Sequence, residues 1–149
     1  MIQMPLRETF ATARPVAAPI MLSLMVAELA DVLPAPQIGA FAFALGQRVA
    51  ARVPMTNVTD LTDLQQSLNR LWTELGLGSA RLSVDELAIA VEHDPGTLRP
   101  DVLDPAARPA FVEFVRGAYH ACFQMLGSSD AMVTSAKWNG QVIELRHGN

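Results

Sequence analysis

The run LTDLQQSLNRLWTELGLGSARLSVDELAIAVEH, Leu61 to His93, carries two hydrophobic periods separated by a glycine break. Leu61, Leu64, Leu68, Leu71 and Leu75 step by three and four, the spacing that lines up apolar side chains on one face of a helix. Asp60 and Asp63 fall in its first turn, where carboxylates oppose the positive end of the helix dipole, and Asn57 or Thr59 is placed to cap it. Gly76 and Gly78 stop the helix in the manner of a left-handed C-cap. Beyond them the period drops to two. Ala80, Leu82 and Val84 alternate with Arg81, Ser83 and Asp85, and Leu87, Ile89 and Val91 alternate with Ala88, Ala90 and Glu92. This predicts two strands joined at Asp85-Glu86 and closed by the turn His93-Asp94-Pro95-Gly96.

Upstream, over residues 37–53, Ile38, Phe41, Leu45, Val49 and Arg52 follow a helical period until Pro54 forces a stop. Gly46 sits inside this helix at a cost of about 1 kcal/mol relative to alanine, which points to a close contact with another helix. Further upstream, from Pro19, Ile20, Leu24, Ala27 and Val32 fall near one face, broadened by Leu22, Val26 and Leu29, and Pro34 and Pro36 end the element. That pattern fits a buried or interface helix. Residues 1–18 are rich in Pro, Ala and Thr without periodicity and read as an arm.

Downstream, residues 97–104 read as loop, and Asp104-Pro105 as a cap followed by a proline at the first helical position. Phe111, Phe114, Val115, Ala118, Cys122 and Met125 then share an apolar face up to Gly127. Residues 131–136 and 141–145 flank Asn139-Gly140, a strong hairpin signal that puts Met132, Thr134, Ala136, Trp138, Ile143 and Leu145 on the core side. The whole is an α+β chain: N-terminal helices, then a small antiparallel sheet of two hairpins with a long helix between them. Residues 1–36, an arm and a helix, precede a domain over 37–149.

Hydrophobic residues make up 50% of the 149 and charged residues 17%, against the ~25% charged usual in soluble domains. The surplus of apolar surface predicts self-association. A net charge of −4, with Lys137 the only lysine and no basic stripe, argues against a nucleic-acid partner. Cys122, the sole cysteine, excludes an intrachain disulfide and reads as a packed thiol. The apolar run from Val16 to Ala27 contains Pro19 and is too short to span a membrane. No small-x-small cleavage site follows it, so the expected location is the cytoplasm, with the periplasm as the alternative.

His93, His120 and His147 are each 27 residues apart, without the local pairing of helical metal ligands, so no metal site is expected. His93 reads as a strand end that bonds a turn, and His120 as a flank of a helix interface. Ser128-Ser129-Asp130 is a turn by composition and lacks the setting of a nucleophile elbow. Gly76-Leu77-Gly78 runs from helix to strand, the wrong order for a phosphate loop. The pairs Asp60 with Asp63 and Asp85 with Glu86 are accounted for by capping and turn roles, and Trp72 and Trp138 by the core. No catalytic, cofactor-binding or metal-ligating residue is assigned, and the protein reads as a non-enzyme.

Leu45-Gly46-Gln47-Arg48-Val49-Ala50, Pro54, Leu68-Asn69, Leu75-Gly76-Leu77-Gly78 and the strand Leu87 to His93 resemble the D-subunit family of bacterial cellulose synthase, the cellulose biosynthesis accessory protein D. The helix from Phe114 to Gly127, with Gly117 and Tyr119, is similar to a later family motif. Leu77 stands where the family usually has an aromatic. The resemblance makes Gly46, Arg48, Pro54, Asn69, Gly76, Gly78, His93, Gly117 and Tyr119 structural motif positions. It implies a non-catalytic accessory protein of cellulose secretion that organises glucan chains or synthase complexes. It also implies a homo-oligomer, an octamer built as a tetramer of dimers, which meets other synthase components and glucan. No glucan-contacting residue is carried over, because residues 1–36 depart from the motifs. The competing class is a regulatory domain that binds a small ligand or protein partner in an apolar pocket.

Overall fold

The computed structural model describes residues 19–149; the arm expected over 1–18 lies outside the described residues. Helix α1 is described over 19–30, followed by α2 (Ala35–Ala50), α3 (Leu61–Leu75), β1 (Ser79–Asp85), β2 (Ala88–Asp94), α4 (Ala107–Met125), β3 (Val133–Asn139) and β4 (Val142–Gly148). The strands form one antiparallel sheet in the order β1-β2-β4-β3, so the two hairpins meet along β2 and β4. Helix α3 packs on β1, and α4 packs on β3, on β4 and, along its length, on α2. Among the described residues no helix covers the opposite face of the sheet, which makes the architecture a two-layer α+β fold.

Local rules set most boundaries, and several fall a residue or two from expectation. The N-cap of α3 is Asp60, not Asn57 or Thr59: its carboxylate accepts the Asp63 N–H at 2.8 Å. Asp63 reaches back to the Thr59 N–H and hydroxyl, at 3.2 and 2.8 Å, so two unsatisfied donors at the helix start gain acceptors reciprocally. These bonds hold the Asp63 carboxyl below its usual value. Gly76 ends α3 at φ 69°, as the C-cap reading requires. The first hairpin turns one residue later than Asp85-Glu86: Asp85 pairs with Ala88, Glu86 takes a left-handed φ of 53°, and Leu87 is left 90% exposed at the tip. Asp104 and Pro105 precede the helix by more than expected. Asp104 Oδ1 accepts the Ala106 N–H at 3.0 Å, and α4 starts at Ala107. Helix α1 already stops at Ala30, ahead of both prolines, while Pro34 is the N-cap of α2 and Pro36 lies in its first turn.

The larger correction concerns α2. Its buried residues are Ile38, Ala42, Gly46 and Ala50, whereas Phe41 is 63% and Leu45 39% exposed. The small residues face α4 because the two backbones touch. A Cβ on Gly46 would lie 2.0 Å from the Phe114 carbonyl oxygen, and one on Gly117 would lie 2.1 Å from the Phe43 carbonyl oxygen. A contact that tight admits only hydrogen at both positions.

The sheet edge at β1 is closed by side chains rather than by another strand. Ala80 donates to Asn69 Oδ1 at 2.6 Å and accepts from Asn69 Nδ2 at 3.1 Å, and the Leu82 N–H donates to Gln65 Oε1 at 2.8 Å. Asn69→Ala is expected to cost about 1–2 kcal/mol, because both half-buried edge groups of Ala80 lose their partner; urea denaturation measures it. An Asn69→Ala midpoint equal to that of the unaltered chain would contradict the capping role.

Candidate functional site

Three arrangements use the residues singled out from sequence. The first is a buried polar chain between α3, β2 and α4. Trp72 Nε1–H donates to Tyr119 Oη at 3.0 Å, and Tyr119 Oη lies 2.7 Å from His93 Nδ1. His93 Nε2 lies 2.9 Å from the Leu77 carbonyl oxygen. A carbonyl only accepts, so Nε2 carries the histidine proton and Nδ1 accepts from the tyrosine hydroxyl. Every polar atom of the chain is then satisfied with neutral groups. Burial pushes His93 down to about 4 and the Tyr119 phenol well above its ordinary value, so both stay uncharged near neutrality. The Trp72 and His93 rings meet edge to face at 4.8 Å, and all three side chains are essentially inaccessible. A chain sealed in this way holds α3, β2 and α4 in register and offers nothing to a substrate.

The other motif positions lie elsewhere in the fold. Gly46 and Gly117 oppose each other at the α2 and α4 crossing. Asn69 caps the β1 edge, Gly76 caps α3, and Gly78, at φ 93°, lets the backbone pass the Asp94 carbonyl. Arg48 and Pro54 are exposed at and after the end of α2. The structure therefore gathers His93 and Tyr119 into one network and leaves the rest distributed along the fold. Trp72 is fully buried and Trp138 partly so, with the Trp138 Nε1–H on the Arg108 carbonyl at 3.3 Å. Burial raises the Cys122 thiol to about 12, which leaves it an unreactive packed group. Among the described residues no three His, Cys, Asp or Glu side chains come together as metal ligands.

The second arrangement is a surface. Met21, Leu22, Leu24 and Met25 of α1 are 52–61% exposed, and with Phe41 and Leu45 of α2 they present bulky apolar side chains to solvent. Beside them an open groove of about 730 Å³ runs between the end of α1, α2 and α4, floored by small residues such as Gly39 and Ala110. Arg116 stands at its rim, 4.3 Å over the Phe43 ring and 2.6 Å from Glu113. The uncovered face of the sheet is different in character. Arg81, Glu92, Glu144 and Lys137 are register partners across all four strands, giving a row of sign plus, minus, minus, plus. Charges placed so are well solvated, and the row carries no aromatic platform for a sugar ring.

The third arrangement has no counterpart in the sequence reading. The second hairpin extends past Leu145 to Gly148, pairing Thr134 with His147, and Ser128 and His120 close on that pair. Continuing the Asn139-Gly140 register beyond Leu145 is enough to place Thr134 opposite His147. Nothing local in the sequence ties Ser128 to a residue nineteen positions away.

The family model for the D subunit of cellulose synthase matches residues 10–146. The match begins well upstream of Ile38, within the segment set apart from the motifs. No curated protein matches the chain. Among solved structures, a trafficking protein particle complex subunit 3 from Naegleria fowleri covalently bound to palmitic acid is similar, with a TM-score of 0.50 and 13% identity. The likeness covers 87% of this chain and 93% of that one, and at such identity it concerns the fold alone. Among the described residues no helix is long and apolar enough to cross a membrane.

Proposed function

Because this chain belongs to the cellulose synthase D-subunit family, we propose that it is a scaffold of cellulose secretion that assembles with itself and orders synthase complexes or their glucan product. The observation that carries this reading is the number of bulky apolar side chains that α1 and α2 expose, which a lone monomer would leave in water. Symmetric burial of such side chains is the usual way an accessory protein builds a closed particle. The charged row on the open sheet gives glucan no aromatic docking line there. The protein works from the cytoplasmic side.

Light scattering coupled to size exclusion is expected to give a mass of about eight chains. Phe41→Glu combined with Leu45→Glu is expected to lower that mass, since two charges cannot be buried in an apolar contact without a partner. Cellulose output and crystallinity in a deletion strain should fall, and return with the unaltered gene but not with the double variant. A stable monomer for the unaltered chain would overturn the assembly reading and leave the groove beside α2 as a partner or ligand site.

A further inference from the structure

Ser128 Oγ lies 2.6 Å from His147 Nε2. The other ring nitrogen of His147, Nδ1, lies 2.7 Å from Thr134 Oγ1, which in turn lies 2.9 Å from His120 Nδ1. These contacts link the loop after α4, β4, β3 and α4 itself into one hydrogen-bonded line. In one proton order Ser128 donates to Nε2, Nδ1–H donates to Thr134, and Thr134 donates to His120. That is the order of an activated nucleophile: a hydroxyl on a base, and a base held in one tautomer by a third group.

We propose that Ser128 is a reactive, acyl-accepting serine whose general base is His147, with Thr134 and His120 holding the imidazole in place. His147 is 1% exposed and its ring lies tilted against Phe123, with centroids 4.7 Å apart, so packing and both hydrogen bonds restrain its orientation. Ser128 is only half-buried, so a reagent can meet it. Its other acceptors, Met132 Sδ at 3.3 Å and the Ser129 carbonyl at 3.5 Å, are longer contacts than the imidazole. Desolvation lowers His147 and favours its neutral form, the form a base requires.

The substrate class is an activated acyl ester. Ser128 Oγ bonds to the carbonyl carbon as its proton passes to His147 Nε2. The bond from that carbon to the leaving oxygen breaks, and the leaving oxygen takes the proton from His147. The step is stoichiometric and ends at an acyl-serine. The chemistry does not depend on self-assembly.

The test is acetylation of the full chain by p-nitrophenyl acetate at pH 7.5, mapped by peptide mass spectrometry, with a fluorophosphonate as a second probe. The native chain is expected to carry its dominant adduct on Ser128, absent from Ser128→Ala and unchanged in Ser129→Ala. His147→Gln is expected to slow acetylation roughly 100-fold, the usual contribution of a positioned base. Should that variant fail to fold, the rate in urea replaces it, and the native chain is expected to exceed it by a similar factor. No adduct at Ser128, or a native rate equal to that in urea, would overturn the proposal.

Discussion

Gly46→Ala and Gly117→Ala are each expected to destabilise the protein by about 3 kcal/mol or more, lowering its melting temperature by about 10 °C. The added methyl has nowhere to go. At Gly46 it would lie 2.0 Å from the Phe114 carbonyl oxygen and 2.8 Å from the Ala118 nitrogen, and at Gly117 2.1 Å from the Phe43 carbonyl oxygen. All of these are backbone atoms, so relief requires moving one helix off the other and opening the core between α2 and α4 rather than rotating a side chain. The gain in helix propensity, about 1 kcal/mol, is too small to compensate. Gly39 supplies the control, because it lies in the same helix and a Cβ there would meet only Glu113 Cγ at an ordinary 3.6 Å. Gly39→Ala is expected to be neutral or to stabilise by about 0.5–1 kcal/mol. Thermal melts of the three variants decide the matter. Equal melting temperatures for Gly39→Ala and Gly46→Ala would refute the tight crossing.

Acid is expected to weaken the fold well before its carboxylates titrate. His93 is held at about 4 in the folded chain against 6.5 when exposed, so between those values the unfolded state binds more protons than the folded one. Stability therefore rises with pH across this window. The contribution is complete above pH 6.5 and is lost as the pH falls towards 4, with a total of about 3 kcal/mol. His147, also lowered, acts in the same direction. The physical cause is burial, which strips an imidazolium of its hydration; Nδ1 already accepts from Tyr119, so an added proton there would also face a hydroxyl that must turn round. Urea denaturation at pH 7.5 and pH 4.5 measures the loss. In His93→Gln the difference between the two pH values is expected to shrink by most of that amount, even though the variant is less stable throughout. An undiminished difference would place the acid sensitivity elsewhere.

What is legible in the chain depends on whether a signal is local. The Leu61 to Leu75 stripe, the glycine stop and the Asn139-Gly140 hairpin are written in consecutive residues, and the structure has all of them. The buried face of α2 escapes such a reading because that helix carries two apolar stripes. The larger side chains, Phe41 and Leu45, draw the eye to the outer one, while Ala42, Gly46 and Ala50 do the packing. Gly46 itself is the better clue, since a costly glycine inside a helix needs a neighbour close by. The Ser128 and His147 pair is hidden for a different reason: it depends on where the chain after α4 turns back, which no periodicity records.

The edge of the sheet has a consequence for isotope exchange. At a bare strand edge the outward amides of Ala80 and Leu82 would trade hydrogen with water freely. Here they are tied to Asn69 and Gln65, so their exchange waits on the undocking of α3. The outermost strand thus becomes a clock for a helix, reading out in its own amides how often that helix lifts away.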